Sequence, residues 1–253
     1  MSIITLLTDF GTADSYVAEM KGVLLSRVAD TVLVDVTHEV RPGDVRSAAY
    51  LLGRTWHRFP ASTIHLAVVD PGVGSSRTAL AVKAHQHYFV APDNGILTAV
   101  LRDTEVEAVM LPTPPTAAPT FHGRDVFAPA AAELARGTSL AGLGLRFSGF
   151  PERLAYTSPH REGRWIVGEV VYVDRFGTLI TNLQAELVPA QAVVEVDELR
   201  IGPLARTFSD VATGGLLAYV GSEGAVEVAV RDGSAAARLG VGAGGRVKVR
   251  GEK

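Results

Sequence analysis

The chain has 253 residues, 47% of them apolar and 20% charged, with a formal net charge of −3 and no cysteine. Those figures require a packed globular core and exclude a disordered chain, a disulfide framework and a thiolate nucleophile. They also exclude the concentrated basic face of a nucleic-acid surface, and no apolar window reaches the roughly 18 residues that a membrane-spanning helix needs.

Met1 to Leu7 has no basic leader and runs straight into Thr8-Asp9, so it reads as a strand and not as a targeting signal. A cytoplasmic protein with neither a nucleic-acid nor a membrane partner is expected. Ile3–Leu7, Thr31–Val36 and Ile64–Val69 are short Val/Ile/Leu/Thr-rich runs, each followed by a polar or glycine-containing turn. Continuous rather than alternating hydrophobicity predicts strands covered on both faces. Between the first two runs, Val17, Met20, Leu24 and Val28 fall at helical spacing within Asp14–Val28. Strand, helix, strand repeated in this way predicts a Rossmann-like, mostly parallel sheet with flanking helices.

Ala79–Lys83 and His87–Val90 read as a hairpin, Ile96–Leu101 as a short helix and Asp125–Arg136 as a longer one. Residues 112–119 carry four prolines and cannot be regular structure, because proline removes a backbone donor and fixes φ. That loop delivers Phe121-His122-Gly123-Arg124 to the start of the next helix. Beyond residue 160 the texture changes to Trp165–Val173, Thr178–Leu183, Ala192–Val196, Ala225–Val230 and Arg246–Val249, short β-rich runs separated by Gly, Asp and Ser. These predict a smaller antiparallel β-barrel or sandwich. The expected division is an α/β domain over 1–155 and a β domain over 163–253.

Two aspartates stand where strands of the first domain end. Asp9 lies in Thr8-Asp9-Phe10-Gly11, and Asp70 opens Asp70-Pro71-Gly72-Val73-Gly74-Ser75-Ser76-Arg77. Ligands of open α/β sheets bind beyond the carboxyl ends of the strands. An aspartate at that place either accepts from ribose hydroxyls or caps a turn. Arg77 is far enough on to fold back onto Asp70, as part of a site or as a structural pair. The segment is neither a Walker loop, since the Lys-Ser/Thr pair is missing, nor the G-x-G-x-x-G fingerprint. His122 is presented on a loop just before a helix. His85 and His87 offer a two-imidazole metal pair, although a hairpin turn is the simpler home for them and no carboxylate cluster matches. In the C-terminal half, Phe176 could stack on a flat ring and Asn182 could read amide-like edges, or both could be packing and turn.

The ordered set of Thr8-Asp9-Phe10-Gly11, Met20-Lys21-Gly22, Val34-Asp35-Val36-Thr37-His38, Asp70-Pro71-Gly72-Val73-Gly74, Ala91-Pro92-Asp93-Asn94-Gly95, Phe121-His122-Gly123-Arg124-Asp125 and Asp174-Arg175-Phe176-Gly177 resembles the S-adenosylmethionine hydroxide adenosyltransferase family through almost the whole chain. The superfamily it resembles includes enzymes that halogenate the same substrate. The resemblance implies hydrolysis of S-adenosyl-L-methionine to adenosine and methionine, with Asp70, Arg77 and His122 positioning and activating the attacking water. It implies that Asp9 holds the ribose hydroxyls and that Asp14 and Asn94 join the substrate-binding set. Phe176, Thr178, Asn182, Ser222, Glu227 and Val230 would enclose the adenine and methionine ends. A small-molecule substrate, no cofactor, no metal and a homotrimer with sites at subunit contacts are implied as well.

The halogenases carry a tyrosine where Asp70 stands, a tyrosine–serine pair in place of His122-Gly123, and, in the fluorinating enzymes, an extra loop near residues 85–88. Water is therefore the expected nucleophile. Thr178 stands where many relatives have an asparagine, and Glu223 where the fluorinating enzymes have an arginine. The competing readings are a non-catalytic nucleoside-binding module, a metal-dependent hydrolase built on Asp9, Asp70 and the histidines, and a halide-dependent adenosyltransferase.

Overall fold

A computed structural model describes residues 2–102, 104–189 and 191–251. The chain divides after Leu154 into two units, each with its own core.

In the first unit, β1 (Ser2–Thr8), β2 (Thr31–Thr37), β3 (Ile64–Val68), β4 (Ala79–Ala84), β5 (His87–Pro92), β6 (Glu107–Met110) and β7 (Leu145–Arg146) form one sheet in the order β2-β1-β3-β5-β4-β6-β7. The four strands β2, β1, β3 and β5 run parallel, while β4, β6 and β7 continue the sheet antiparallel, so it is mixed. Every residue of β3 is buried, as its unbroken apolar run requires for a strand covered on both faces.

One face is covered by α1 (Tyr16–Arg27) and α3 (Ala128–Ala135), which share a core with Ile4, Leu6, Leu66 and Val90. The other face is covered by α2 (Val45–Thr55), packed with Leu7, Ala67, Leu80 and Phe89. The start of α2 is fixed by Asp44, whose Oδ1 accepts from the Ser47 amide at 3.0 Å.

Ile96–Leu101 is not a helix. It is a run of tight turns, with Thr98 N bonded to Gly95 O and Val100 and Leu101 N both bonded to Leu97 O. Ile96, Leu97, Val100 and Leu101 are all buried, and a run apolar on every side carries no period that tells helix from coil. The helix expected from Asp125 begins instead as a π-helical turn over Gly123–Phe127 and becomes regular only at Ala128. Such turns widen the helix by one residue and mark places where a side chain is re-aimed.

The second unit contains β8 (His160–Glu162), β9 (Trp165–Val173), β10 (Leu179–Gln184), β11 (Ala192–Val196), β12 (Leu199–Ala205), β13 (Leu216–Val220), β14 (Ala225–Val230) and β15 (Arg246–Gly251). Its sheet runs β10-β14-β13-β12-β11-β15-β9-β8, and β9 also pairs with β10. Seven strands therefore close into a barrel, with β8 added outside on β9. All of its pairings are antiparallel except β12 with β13, which is parallel. Val170, Leu179, Val194, Val228 and Val247 fill the interior. A short α4 (Ala235–Leu239), capped by Ser234, packs on this core.

Candidate active site

The loops that leave the carboxyl ends of β1, β2 and β3 wall a cavity of about 490 Å³ in the first unit. Asp9 and Phe10 enter from the first loop, Pro42 and Gly43 from the second, Asp70 and Pro71 from the third, and Tyr16 from the start of α1. Open sheets place ligands at this end because the strand-to-helix loops converge there.

Asp9 Oδ2 accepts the Gly43 amide at 2.8 Å, which ties the first loop to the second. Burial raises the Asp9 pKa above the ordinary carboxylate value; the Gly43 amide opposes that shift and the nearby Asp70 charge adds to it.

Asp70 and Arg77 form a bidentate pair. Arg77 Nε donates to Asp70 Oδ1 and Oδ2 at 3.0 and 2.9 Å, and Nη2 donates to Oδ2. Their side chains are only 5% and 10% exposed, so this is a desolvated pair and not the weak surface kind. Gly72 lets the loop fold so tightly, since a Cβ there would lie 3.3 Å from Arg77 Cγ. Gly74 has φ +77°, and a Cβ would come within 2.8 Å of the Pro119 carbonyl. The second glycine thus lets the Asp70–Arg77 loop rest against the proline-rich segment that leads to His122.

Arg77 Nη2 also donates to His122 Nδ1 at 2.8 Å. The guanidinium is always a donor, so Nδ1 must be the acceptor and the neutral ring carries its proton on Nε2. Burial holds the His122 pKa below the usual histidine value and Arg77 reinforces this, against the pull of Asp70 and Asp125. The result is an unbroken Asp70–Arg77–His122 linkage, with Asp70 at the cavity wall.

The residues on either side of His122 are held by a second network. Arg124 donates to Glu19 of α1 at 2.8 Å and to both oxygens of Asp125, whose Oδ2 also accepts the Ala118 amide. The rings of Phe10, Tyr16 and Phe121 meet edge to face or tilted at 5.4–5.9 Å, and the Arg124 guanidinium lies 4.8 Å from the Phe121 centroid. Gly123 sits where a Cβ would be 3.2 Å from Met20 Sδ and 3.3 Å from Phe10.

A further polar chain supports the Asp9 loop. Buried His38 places Nδ1 2.8 Å from Thr8 Oγ1 and Nε2 3.1 Å from Asp35 Oδ1, while its carbonyl accepts from the Gly11 amide. Lys21 completes the chain at Asp35. None of Glu19, Arg124, Asp125, Lys21, Asp35 or His38 was singled out as functional from residue chemistry. Apart from Glu19, they stand within the motifs that carry the family resemblance.

The remaining sequence candidates are distributed as follows. Asp14 is exposed in the turn before α1. Asn94 has both side-chain polar atoms on backbone partners, donating from Nδ2 to Val69 O at 2.8 Å and accepting the Ile96 amide at 3.2 Å. Asn182, in β10, likewise donates to Thr157 O and accepts the Glu169 amide, at 2.7 and 2.9 Å. Phe176 is 76% exposed at the tip of the β9–β10 turn, and Thr178 behind it is buried. Asp174 Oδ1 accepts the amides of both. Ser222 and Glu223 occupy the β13–β14 turn. Glu227 and Val230 are buried in β14, and Glu227 accepts the Tyr219 hydroxyl at 2.7 Å.

The imidazoles of His85 and His87 are both engaged by protein partners. His85 stacks on Trp56 at 4.7 Å and donates from Nε2 to the Val100 carbonyl, while His87 Nδ1 lies 3.1 Å from His65 Nε2. Among the described residues, no three His, Asp or Glu side chains converge as metal ligands.

Residues 4–144 match the N-terminal domain of the SAM hydroxide adenosyltransferases, and residues 168–248 match their C-terminal domain. The chain belongs to the SAM hydroxide adenosyltransferase family. It is 42% identical to the (R)-S-adenosyl-L-methionine hydrolase of Thermus thermophilus, over 98% of this chain and 100% of that protein. The fluorinase of Nocardia brasiliensis is more distant, at 28% identity over 98% of this chain and 96% of the fluorinase. A crystal structure of a conserved protein from Thermotoga maritima superposes with a TM-score of 0.90 and 37% identity, covering 98% of this family member and 99% of that chain. No helix among the described residues is long and apolar enough to cross a membrane.

Proposed function

We propose that this family member hydrolyses S-adenosyl-L-methionine to adenosine and L-methionine by attack of water at the ribose 5′ carbon. The observation that carries the reading is the buried Asp70–Arg77–His122 linkage at the wall of a cavity that Asp9 also lines. The full-length identity to a protein named as such a hydrolase supports it.

The water oxygen forms the new C5′–O bond as the C5′–S bond breaks, and the sulfur leaves with its electron pair as neutral methionine. One proton from the water is released. Complete transfer of that proton to an ordinary carboxylate before attack costs roughly 16 kcal/mol, from reference pKa values of about 3.9 and 15.7. Asp70 therefore does not make free hydroxide. It accepts a hydrogen bond from the water and aims the oxygen, while Arg77 and His122 stabilise the developing hydroxide character. Alignment for in-line attack is worth up to about 7–11 kcal/mol, more than the base itself. Asp9 accepts from the ribose hydroxyls and fixes the 5′ carbon opposite Asp70. The sulfonium charge disappears in the transition state, so a dry site favours the reaction over bulk water.

No cofactor enters this scheme. A homotrimer with sites at subunit contacts is part of the same proposal, with Phe176, Thr178, Ser222, Glu227 and Val230 contributing adenine and methionine contacts. Light scattering should return three chain masses, and a monomer at working concentration would remove this part.

The reaction is tested by incubating the protein with S-adenosyl-L-methionine in ¹⁸O-water, with and without chloride. Adenosine labelled at its 5′ oxygen, plus methionine, is expected. Bound ligand without product would indicate a binding module, and 5′-chloro-5′-deoxyadenosine would indicate halide attack.

A further inference from the structure

The sheet order places β5 between β3 and β4. Asp70 follows β3 and Arg77 precedes β4, so their loop bridges over the carboxyl end of β5. The two residues that follow β5 bond to both stems of that bridge. The Asp93 amide donates to the Thr78 carbonyl at 2.8 Å, one residue beyond Arg77. The Asn94 side chain donates to the Val69 carbonyl at 2.8 Å, one residue before Asp70. Main-chain pairing of β3 with β5 ends at Leu66 and Val90, so the Asn94 amide supplies a rung of the ladder where the backbone no longer can. Asn94 Oδ1 accepts the Ile96 amide, which fixes the rotamer that aims Nδ2 at Val69.

We infer that Asn94 is a positioning residue that clamps the Asp70–Arg77 loop, and not a substrate ligand. Its two bonds to backbone fix the orientation of the amide, and Asn94 is not among the residues that line the cavity. The clamp sets the spacing of Val69 and Thr78, and with it where the carboxylate and guanidinium stand relative to the cavity. This rests on the reading of Asp70, Arg77 and His122 as the water-orienting set.

Asn94→Asp is the informative variant. It is nearly isosteric and keeps the acceptor for Ile96, but it turns the donor to Val69 into an oxygen. Asn94→Ala removes both bonds. For both variants kcat should fall by about 10- to 100-fold, the loss expected from a displacement of about 1 Å at a reacting group. KM for S-adenosyl-L-methionine and the affinity for adenosine should stay within about twofold of wild type. Lowered thermal stability with unchanged kcat would reduce Asn94 to a fold element and overturn the clamp. Wild-type kcat in Asn94→Asp alone would assign the effect to the Ile96 turn and also overturn it. Loss of adenosine affinity would return Asn94 to the substrate.

Asp70→Asn measured in parallel separates the two levels. If it turns over normally, the water-orienting set is wrong and the clamp falls with it. If it is impaired while Asn94→Asp is not, only the clamp fails. The wild-type protein gives a reading independent of any variant's folding. The Asn94 Nδ2 proton bonded to Val69 should exchange slowly and be indifferent to adenosine, and fast exchange of that proton would contradict the bond.

Discussion

Asp70→Asn should lower turnover of S-adenosyl-L-methionine by about 10²–10⁴-fold, the range general-base assistance covers, with little change in KM. The asparagine keeps the shape and one acceptor for Arg77, so the loop stays folded while the charge that orients the water is removed. Asp70→Ala is a poorer probe. Both variants leave a guanidinium that is only 10% exposed without its counter-charge, which costs up to about 3–5 kcal/mol of stability, but alanine also removes every acceptor for it. Steady-state kinetics with a melting curve for each variant separates lost chemistry from lost fold. Turnover within twofold of wild type in a folded Asp70→Asn protein would end the proposed role.

The second large effect concerns acid. His65 is buried in β3, with Nδ1 2.8 Å from Thr5 Oγ1 and Nε2 3.1 Å from His87 Nδ1. Burial, helped by His87, pulls the His65 pKa down to about 3. Burial, then His85, also lowers His87. The two rings cannot both be protonated without setting two N–H groups against each other at 3.1 Å. The unfolded chain takes up its proton near the ordinary histidine value of about 6.5, so between that pH and about 3 it binds more protons than the folded one. Stability is therefore intact above about pH 6.5 and falls on acidification, by up to about 1.4 kcal/mol per pH unit from His65 alone. Below about pH 4 the loss steepens as carboxylates held low by partners, such as Asp125 beside Arg124, are protonated. Urea midpoints measured from pH 8 to pH 4 should show this slope, and His65→Gln should flatten it. An equal slope in that variant would place the acid sensitivity elsewhere.

The parallel core was legible because β1 and β3 are largely apolar runs, as buried strands require. By contrast β2, with the same texture, is an edge strand that is only half-buried with Asp35 exposed, so its expected burial on both faces is not met. Asp9 and Asp70 stood out because each directly follows such a run. The helix over Val45–Thr55 went unread even though Asp44 caps it and Ala48, Ala49 and Leu52 share its buried face. Its signal is local and could have been found. The turns at Ile96–Leu101 and the π-helical start at Gly123 are different in kind. The first depends on Asn94 bonding Ile96, and the second on Arg124 reaching Glu19 in a helix about a hundred residues earlier in the chain. The bond from Ile96 to Asn94 is a local one of the kind asparagine makes two residues on, but Glu19 as the partner of Arg124 cannot be inferred from spacing. The joining of Asp70 to Arg77 was anticipated from the glycine loop between them. That His122 belongs with Asp70 and Arg77 came only from the family resemblance, and the bond between Arg77 and His122 is a finding of the structure, since the two are 45 residues apart and meet through folding alone.

The barrel of the second unit carries a constraint of parity. Walking once round a closed ring of strands must return to the starting direction, so the number of antiparallel neighbours has to be even. With seven strands that is impossible unless at least one pair is parallel, and β12 with β13 is that pair. The odd pair is joined by residues 206–215, with a capped turn at Phe208–Asp210, because a tight hairpin cannot link strands that run the same way. Gain or loss of a single strand would reverse the parity and force a second connection to be rebuilt. Change in this barrel therefore proceeds by whole hairpins or by lengthening of loops. The β9–β10 and β13–β14 turns, which carry Phe176 and Ser222, can vary in sequence and length without disturbing the ring.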